Sequence, residues 1–257
     1  MHDNATVSLA TGCMNRASSL RQALPTWLEC SELDEIVIVD WNSREPVYNE
    51  FHTEFGDPRI RFVRVSDQPF WRIAHCRNVE ILSSRFENLL ITDSDMLLKP
   101  EFIVRHPLTD KQTYWNFDWR NSPFDEGPYY KFAPLGGTVY SKRENFMRLK
   151  GYNEYLTLYG FDDEDLYKRM DEIGLVHRNL NREMMQHIPH DNVSRLAHVD
   201  PTELGGKDLL ASVEHNKRLS EEHPWSSDSE HMTEWVMERV DERLTICRPQ
   251  NGMGVKL

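Results

Sequence analysis

Residues 88–98, which read NLLITDSDMLL, contain the pattern that decides the fold. The apolar run from Leu89 to Ile91 is typical of a strand buried on both faces of a parallel sheet. It ends at Asp93-Ser94-Asp95, and residues two apart in extended backbone point to one side, so the two carboxylates could bind Mg²⁺ or Mn²⁺ together. An isolated Asp-x-Asp is more often a solvated turn. Its place directly after a buried strand favours a ligand site.

The segments before this strand alternate between strand and helix patterns. Short β-branched or apolar runs predict strands over residues 7–10, 35–40 and 60–65, and apolar residues at helical spacing predict helices over 18–28 and 74–84. This order predicts an α/β fold with a mostly parallel, Rossmann-like sheet flanked by helices. In such sheets ligands bind at the carboxyl ends of the strands, where Asp40 and Asp93 both lie.

The second half of the sequence is less regular. Residues 99–130 are loop-rich, 133–140 read as a strand, and 143–149 and 162–173 read as helices. Beyond residue 200, segments 207–222 and 232–244 have the apolar spacing of amphipathic helices. The sequence therefore predicts a catalytic domain over residues 1–200 and a C-terminal helical extension packed on it over residues 201–257.

Composition and charge narrow the class of protein. The formal net charge is −12, and no stripe of Lys and Arg could follow a nucleic-acid backbone, so nucleic acid is not an expected partner. An acidic protein binds a diphosphate well only with the help of a cation. No signal peptide or membrane span is evident, and the four cysteines form no CxxC pair. We expect a cytoplasmic protein with reduced thiols.

A second acidic cluster, Asp162-Asp163-Glu164-Asp165, stands at the start of a predicted helix. Capping explains one or two of these residues, because acids there offset the helix dipole. Four adjacent carboxylates also repel one another, which raises the pKa of at least one of them. The cluster therefore predicts a general base that works near neutral pH.

A third group of candidates is Met184-Met185-Gln186-His187, closely followed by His190. A single histidine is more often structural than a metal ligand. Beside two acidic clusters, however, His187 is a plausible third ligand that would complete a shell of oxygen and nitrogen atoms. Met184 is a weaker candidate, because a soft sulfur atom matches Mn²⁺ poorly.

Together these motifs resemble the nucleotide-sugar glycosyltransferases with the GT-A fold, particularly the β-1,4-galactosyltransferase and chondroitin-polymerase type within or near family 2. The likeness runs from about Val7 to His198 in consistent order. The motifs that carry it are Cys13-Met14-Asn15-Arg16, Phe70-Trp71-Arg72-Ile73-Ala74 with Asn78, Asp93-Ser94-Asp95, Gly136-Gly137, Gly151-Tyr152, Tyr159-Gly160 with the acidic cluster, and Met184 to His187.

The resemblance implies an inverting transfer of a hexose or N-acetylhexosamine from a UDP-sugar to a hydroxyl of an oligosaccharide or glycan, with Mn²⁺ or Mg²⁺ as cofactor. It implies that Asp40 contacts the uracil ring and that Asp163 is the general base of the reaction. The site residues it implies are Arg16, Asp40, Arg72, Asp93 and Gly136 for the donor, Asp95, His187 and Met184 for the metal, and Gly137, Tyr159, Asp162 and Asp163 for the acceptor and catalysis.

Two other functions remain open from the sequence. A nucleotidyltransferase also uses strand-end carboxylates and a divalent cation, although residues 11–16, TGCMNR, are a poor match to its basic glycine-rich loop. A catalytically silent module that binds carbohydrate or a metal would explain the acids and aromatics, but not Asp40 together with Asp163. The sequence does not indicate which sugar is transferred or the oligomeric state.

Overall fold

The computed structural model describes residues 6–117, 133–226 and 233–250. The strands are β1 Val7–Cys13, β2 Glu35–Trp41, β3 Ile60–Val65, β4 Asn88–Ile91, β5 Met96–Leu98, β6 Thr113–Asn116, β7 Val139–Lys142, β8 Val176–Asn179, β9 Met185–His187, β10 Trp235–Arg239 and β11 Leu244–Pro249. The helices are α1 Ala17–Leu28, α2 Val47–Glu54, α3 Ile73–Ser83, α4 Phe102–Arg105, α5 Arg143–Arg148, α6 Asp162–Glu172, α7 Asn192–Leu196, α8 Pro201–Leu204 and α9 Leu209–Glu222.

Nine of these strands form one sheet in the order β10-β11-β3-β2-β1-β4-β7-β6-β8. The five neighbours from β11 to β4 run parallel, whereas β7 is antiparallel to both β4 and β6. Strands β5 and β9 form a separate antiparallel pair. The predicted α/β class with a mostly parallel sheet is therefore confirmed.

The long apolar runs in the sequence reflect burial on both faces of this sheet. Every residue of β2 is buried. Ile36 and Ile38 belong to a hydrophobic cluster that includes Trp27 of α1. Val37 and Val39 belong to a second cluster, which includes Cys76 of α3. Helices on opposite faces thus explain why the strand pattern does not alternate between apolar and polar residues.

The C-terminal segment corrects one prediction. Helix α9 lies where the first C-terminal helix was predicted, but the second, over residues 232–244, is wrong: strands β10 and β11 are present instead. Strand β11 pairs in parallel with β3, and Cys247 is fully buried in the core. Hydrogen bonding of β11 to the edge strand β3 outweighed the helical preference that the spacing of apolar residues indicated. The segment extends the same sheet as the rest of the fold.

Three smaller features also differ from the predictions. Helix α2 connects β2 to β3, and β6 lies inside the loop-rich stretch. The strand predicted over 133–140 begins instead with a 3₁₀ helix, Ala133–Gly137, before β7. Residues 118–130 of the loop-rich stretch lie outside the described residues. Of the helices described, none is both long and apolar enough to cross a membrane.

One buried amide holds the loop that leads toward α6. The side chain of Asn78 on α3 donates from Nδ2 to the carbonyl of Tyr152 (3.0 Å) and to Glu154 (2.8 Å), and its Oδ1 accepts from the Tyr152 amide (2.7 Å). Gly151 has φ +68°, and a Cβ there would lie 2.0 Å from Asn78 Oδ1. Only glycine therefore allows the loop to approach α3 this closely.

We predict that Gly151→Ala lowers the free energy of unfolding by more than the roughly 1–2 kcal/mol that a left-handed backbone costs an L-residue. The extra loss comes from displacing Asn78. Gly174→Ala is the matched control, because Gly174 also has positive φ (+82°) but a Cβ there meets no atom within 4 Å. Urea unfolding of both variants measures the difference. Equal losses would show that the Asn78 contact imposes no constraint.

Candidate active site

A cavity of about 840 Å³ lies where β1 and β4 end, next to Gly12 and Asp93. Ligand sites typically have volumes of about 300–1,000 Å³. The cavity brings together most of the site residues that the sequence suggested, although they come from distant parts of the chain. Those that line it are Arg16, Asp93, Asp95, Gly136, Gly137, Tyr159, Asp162, Asp163 and His187.

Asp95, His187 and His190 form a cluster at one end of the cavity. One ligand atom from each lies within 4.8 Å of the others; His190 Nε2 is 2.9 Å and His187 Nε2 3.6 Å from the Asp95 carboxylate. The antiparallel pairing of β5 with β9 places His187 opposite Met96. A carboxylate with two imidazoles suits Mn²⁺ or a similar divalent cation. These residues therefore fit a metal.

The charge state of Asp95 suits this role. Burial alone would raise the pKa of Asp95, but the neighbouring imidazoles of His187 and His190 lower it below its usual value. The carboxylate is therefore ionised at neutral pH. Its Oδ1 atom is buried and has no hydrogen bond among the described residues, so that atom is available to a cation.

The structure adds His190 to the candidate ligands, and Met184 is not among the residues that line the cavity. Met184 ends the 3₁₀ helix Arg182–Met184 and packs, partly buried, against the hydrophobic cluster. Met185 is the methionine that lines the cavity, because it shares a strand face with His187 two residues further on. The sequence signal for His190 was its position just after His187.

A buried guanidinium, which the sequence analysis missed, supports Asp93. Arg77 on α3 is 3% exposed and donates to Asp93, to Glu80 (3.1 Å) and to the carbonyl of Thr92 (3.2 Å). Burial raises the pKa of Glu80 to about 7, although Arg77 opposes the shift. The available signal was a charged i, i+3 pair, Arg77 and Glu80, in the helix predicted over residues 74–84.

Gly137 is where the two acidic groups meet. A Cβ on Gly137 would lie 2.7 Å from Asp93 Oδ2 and 3.5 Å from Asp163 Oδ2. The preceding carbonyl, of Gly136, accepts a hydrogen bond from Tyr167 (2.6 Å). Glycine thus leaves room for both carboxylates beside one peptide, whose position Tyr167 fixes.

The acids at the start of α6 differ in role. Asp165 is buried and binds Arg169 (2.8 Å) and Ser220 (2.6 Å), so it is structural. Asp162 is 2% exposed, and one buried oxygen of Asp162 and one of Asp163 have no hydrogen bond in the described part of the chain. Burial raises the pKa of Asp162 to about 7. Burial and then the charge of Asp162 raise the pKa of Asp163 well above its usual value.

Two arginines bring positive charge to the cavity. Arg16 donates to the carbonyl of Ser194 (2.7 Å) and lies 3.9 Å from Asp95. Arg195, on α7, donates to the hydroxyl of Tyr159 (2.5 Å). Arg195 was not among the residues that the sequence suggested. One guanidinium thus lies beside the metal-ligand cluster, and the other lies beside the loop before α6.

Asp40 and Arg72, both assigned to the donor site from the sequence, lie outside the described cavity lining. The carboxylate of Asp40 accepts from the amides of Ser43 and Val47 (both 3.0 Å) and from Arg64 (2.7 Å). Arg72 binds Glu203 and the carbonyl of Thr157. Each side chain already has partners that hold local structure, which the sequence alone does not reveal.

Comparison with known proteins gives independent information about the class. Residues 124–191 match the family model described as the N-terminal domain of galactosyltransferase. No curated protein matches the chain in sequence. The matched segment includes α6 and β9, and so it covers both the acidic cluster and His187.

Several solved structures share the fold at low sequence identity. The catalytic domain of Drosophila β1,4-galactosyltransferase 7 in complex with xylobiose has a TM-score of 0.58 and 14% identity, covering 95% of this chain and 93% of that one. Mannosyltransferase PcManGT from Pyrobaculum calidifontis, in complex with GDP-Man and Mn²⁺, has a TM-score of 0.58 and 17% identity, with coverage of 83% and 69%.

GalNAc-T7 with UDP, GalNAc and Mn²⁺ has a TM-score of 0.65 and 15% identity, covering 84% of this chain and 48% of that chain. The chain therefore has the GT-A fold. This is the fold of the glycosyltransferases named above, and residues 124–191 match the galactosyltransferase family model within it.

We predict that Asp162→Asn raises the melting temperature more at pH 8 than at pH 5. The folded protein holds the Asp162 proton up to a pKa of about 7, whereas an unfolded chain loses it near about pH 4. Between these values the folded state binds more protons, so the parent loses stability as the pH rises. Asparagine does not titrate, and it removes this loss. The difference in melting temperature between variant and parent is measured by thermal unfolding at each pH in the presence of a chelator.

Asp57→Asn is the control with the opposite sign. A hydrogen bond from Arg59 lowers the pKa of Asp57, so its contribution is present above about pH 4 and is lost only as the pH falls further. The variant should therefore lose similar stability at pH 5 and at pH 8. An Asp162→Asn shift that is the same at both pH values would contradict the assignment.

Proposed function

We propose that this chain is a metal-dependent, inverting glycosyltransferase that transfers a hexose or N-acetylhexosamine from a UDP-sugar to a hydroxyl of an oligosaccharide or glycan. The observation that carries the proposal is the placement of Asp93 and Asp163 beside Gly137, in the cavity that also contains Asp95, His187 and His190. A donor site, a metal site and a base thus share one cavity.

Asp95, His187 and His190 would hold the cation. When bound, a divalent cation stabilises negative charge on the departing diphosphate. Arg16 adds a positive charge beside these ligands. Asp93, held by Arg77, is placed to contact the donor sugar or ribose, and Gly136-Gly137 lets the sugar approach the backbone closely.

Asp163 takes the proton from the acceptor hydroxyl as that oxygen attacks the anomeric carbon. Its raised pKa makes it a stronger base than an ordinary carboxylate. Attack on the face opposite the diphosphate inverts the anomeric centre. Asp162, next to it on α6, is assigned to acceptor binding, with Tyr159 and Gly137.

The proteins with similar folds support this proposal over the alternatives. A structure of a mutant of Drosophila β1,4-galactosyltransferase 7 contains manganese, UDP-Gal and xylobiose, and that of GalNAc-T7 contains UDP, GalNAc and Mn²⁺. These are a UDP-sugar or its nucleotide, a metal and a carbohydrate, which are the ligands that the present cavity suits.

We predict that UDP binding requires Mn²⁺. An acidic cavity repels a diphosphate unless a cation lies between them, so calorimetric titration should show UDP binding with Mn²⁺ and none in excess chelator. Asp95→Ala should weaken the Mn²⁺-dependent affinity at least about tenfold, the loss seen even when a residue that only orients a ligand is removed. His187→Ala should weaken it less, because water can fill its position.

Two further variants decide which ligand set is correct. His190→Ala should weaken Mn²⁺-dependent UDP binding as His187→Ala does, whereas Met184→Leu should leave it unchanged. His52→Ala, in which the histidine lies on α2 against Tyr48, is the control for loss of an imidazole. UDP affinity that is unaffected by chelator would overturn the metal assignment. A loss with Met184→Leu alone would favour the methionine.

We predict that Asp163→Asn lowers the rate of transfer about 10²- to 10⁴-fold, which is the usual contribution of general-base catalysis. Asparagine keeps the shape of the side chain but accepts no proton. Mn²⁺-dependent UDP binding should persist, because Asp163 does not touch the diphosphate in this assignment. Transfer is measured as UDP release from several UDP-sugars with saccharide acceptors.

Glu164→Gln is the matched control, because Glu164 also lines the cavity and is the next acid in the cluster. Its transfer rate should stay within a few-fold of the parent. Near-parental transfer by Asp163→Asn, combined with a large loss in Glu164→Gln, would move the role of base to Glu164.

A further inference from the structure

Helix α9 is fastened to the loop that carries Tyr159. Ser212 accepts a hydrogen bond from the Tyr159 amide (3.1 Å) and donates one to the Tyr159 carbonyl (2.9 Å). Asn216 donates to the carbonyls of Leu158 (3.0 Å) and Gly160 (2.7 Å). Ser212 and Asn216 are fully buried. Buried polar groups with satisfied partners specify one arrangement, so these contacts fix how α9 faces the cavity.

The adjacent face of α9 forms a wall of the cavity. Leu209 and Val213 are four residues apart and therefore lie on one side of the helix. They line the cavity together with Leu210 and Glu214. A Cβ on Gly160 would lie 2.7 Å from Val213 Cγ2, so this wall packs directly on the loop that leads to Asp163. Leu210 is 54% exposed although it belongs to a ligand cavity.

The chemistry of this wall does not suit the hydroxyl groups of a sugar. Leucine and valine side chains offer no hydrogen bonds, so sugar hydroxyls placed against them would lose their partners in water without replacement. An alkyl or aryl group would gain from the same contact. Glu214 lies on the same wall, and its charge disfavours a carboxylate there.

We propose that Leu209, Leu210 and Val213 form an acceptor subsite for an apolar, uncharged aglycone, that is, the non-sugar group attached to the acceptor saccharide. This proposal rests on the proposed function, because it places the acceptor beside Asp163. The saccharide binds near the acids of α6, and the aglycone extends along the first two turns of α9. Ser212 and Asn216 are positioning residues for this wall.

Calorimetric titration of the protein saturated with UDP and Mn²⁺ tests the subsite with three probes: methyl, hexyl and 5-carboxypentyl β-xyloside. Each methylene that is buried strengthens binding about fourfold. The hexyl glycoside should therefore bind at least about tenfold more tightly than the methyl glycoside. The carboxypentyl glycoside should lose most of this gain. Equal affinities for the methyl and hexyl probes, or no binding by either, would overturn the proposal.

Leu210→Ser should reduce the advantage of the hexyl over the methyl glycoside at least about threefold and leave methyl glycoside binding unchanged. Leu210 is largely exposed, so the variant should fold. Val104→Ser is the matched control: Val104 is an exposed apolar residue (59%) on α4, away from the cavity lining, and its replacement should change neither affinity. A hexyl advantage that Leu210→Ser leaves intact would place the aglycone elsewhere.

The outcomes separate this proposal from the proposed function. Mn²⁺-dependent UDP binding without a hexyl advantage would refute the subsite alone. Absence of UDP binding would count against the proposed function. In that case the comparison of hexyl with methyl glycoside, repeated without nucleotide, still decides whether the wall binds an apolar group.

Discussion

The guanidinium of Arg77 lies buried between α3 and the end of β4, where it binds Glu80 and Asp93. It also favours the ionised forms of Asp162 and Asp163. Burying a charge is costly unless it is paired, and crowded carboxylates repel one another. Arg77 meets both demands, because it is paired with Glu80 and Asp93 and its charge also acts on Asp162 and Asp163.

The two ends of the cavity shift the pKa values of their carboxylates in opposite directions. At the metal end, two imidazoles keep the pKa of Asp95 low. Beside Gly137, burial and neighbouring charge raise the pKa of Asp163. Sites in which the environment separates the pKa values of like groups can give one group an electrostatic role and another the work of an acid or base. In the proposed function, aspartate provides both roles.

The C-terminal segment holds the loop between α5 and α6 through two sets of contacts. Helix α9 holds the loop before α6 through Ser212 and Asn216. Farther along, the backbone and hydroxyl of Thr233 bind Glu154, which is also a partner of Asn78. The loop that connects α5 to α6 is thus held between α3 and the end of the chain. Contacts with α3 and with the C-terminal segment therefore hold the acids of α6 in position.

The sequence by itself determined the elements whose pattern is local. The apolar run ending at Asp93 fixed a buried strand, because burial on both faces leaves a continuous hydrophobic signature, and the acids at Asp162 marked the start of α6. Only the tertiary structure decided the partners of charged side chains: Arg77 for Asp93, Arg64 for Asp40 and Glu203 for Arg72. It also placed His190 beside Asp95 and formed strands β10 and β11. These outcomes depend on which distant segments come into contact in the folded chain. The free energy of pairing a buried charge or a sheet edge comes from those tertiary contacts and not from neighbours along the sequence.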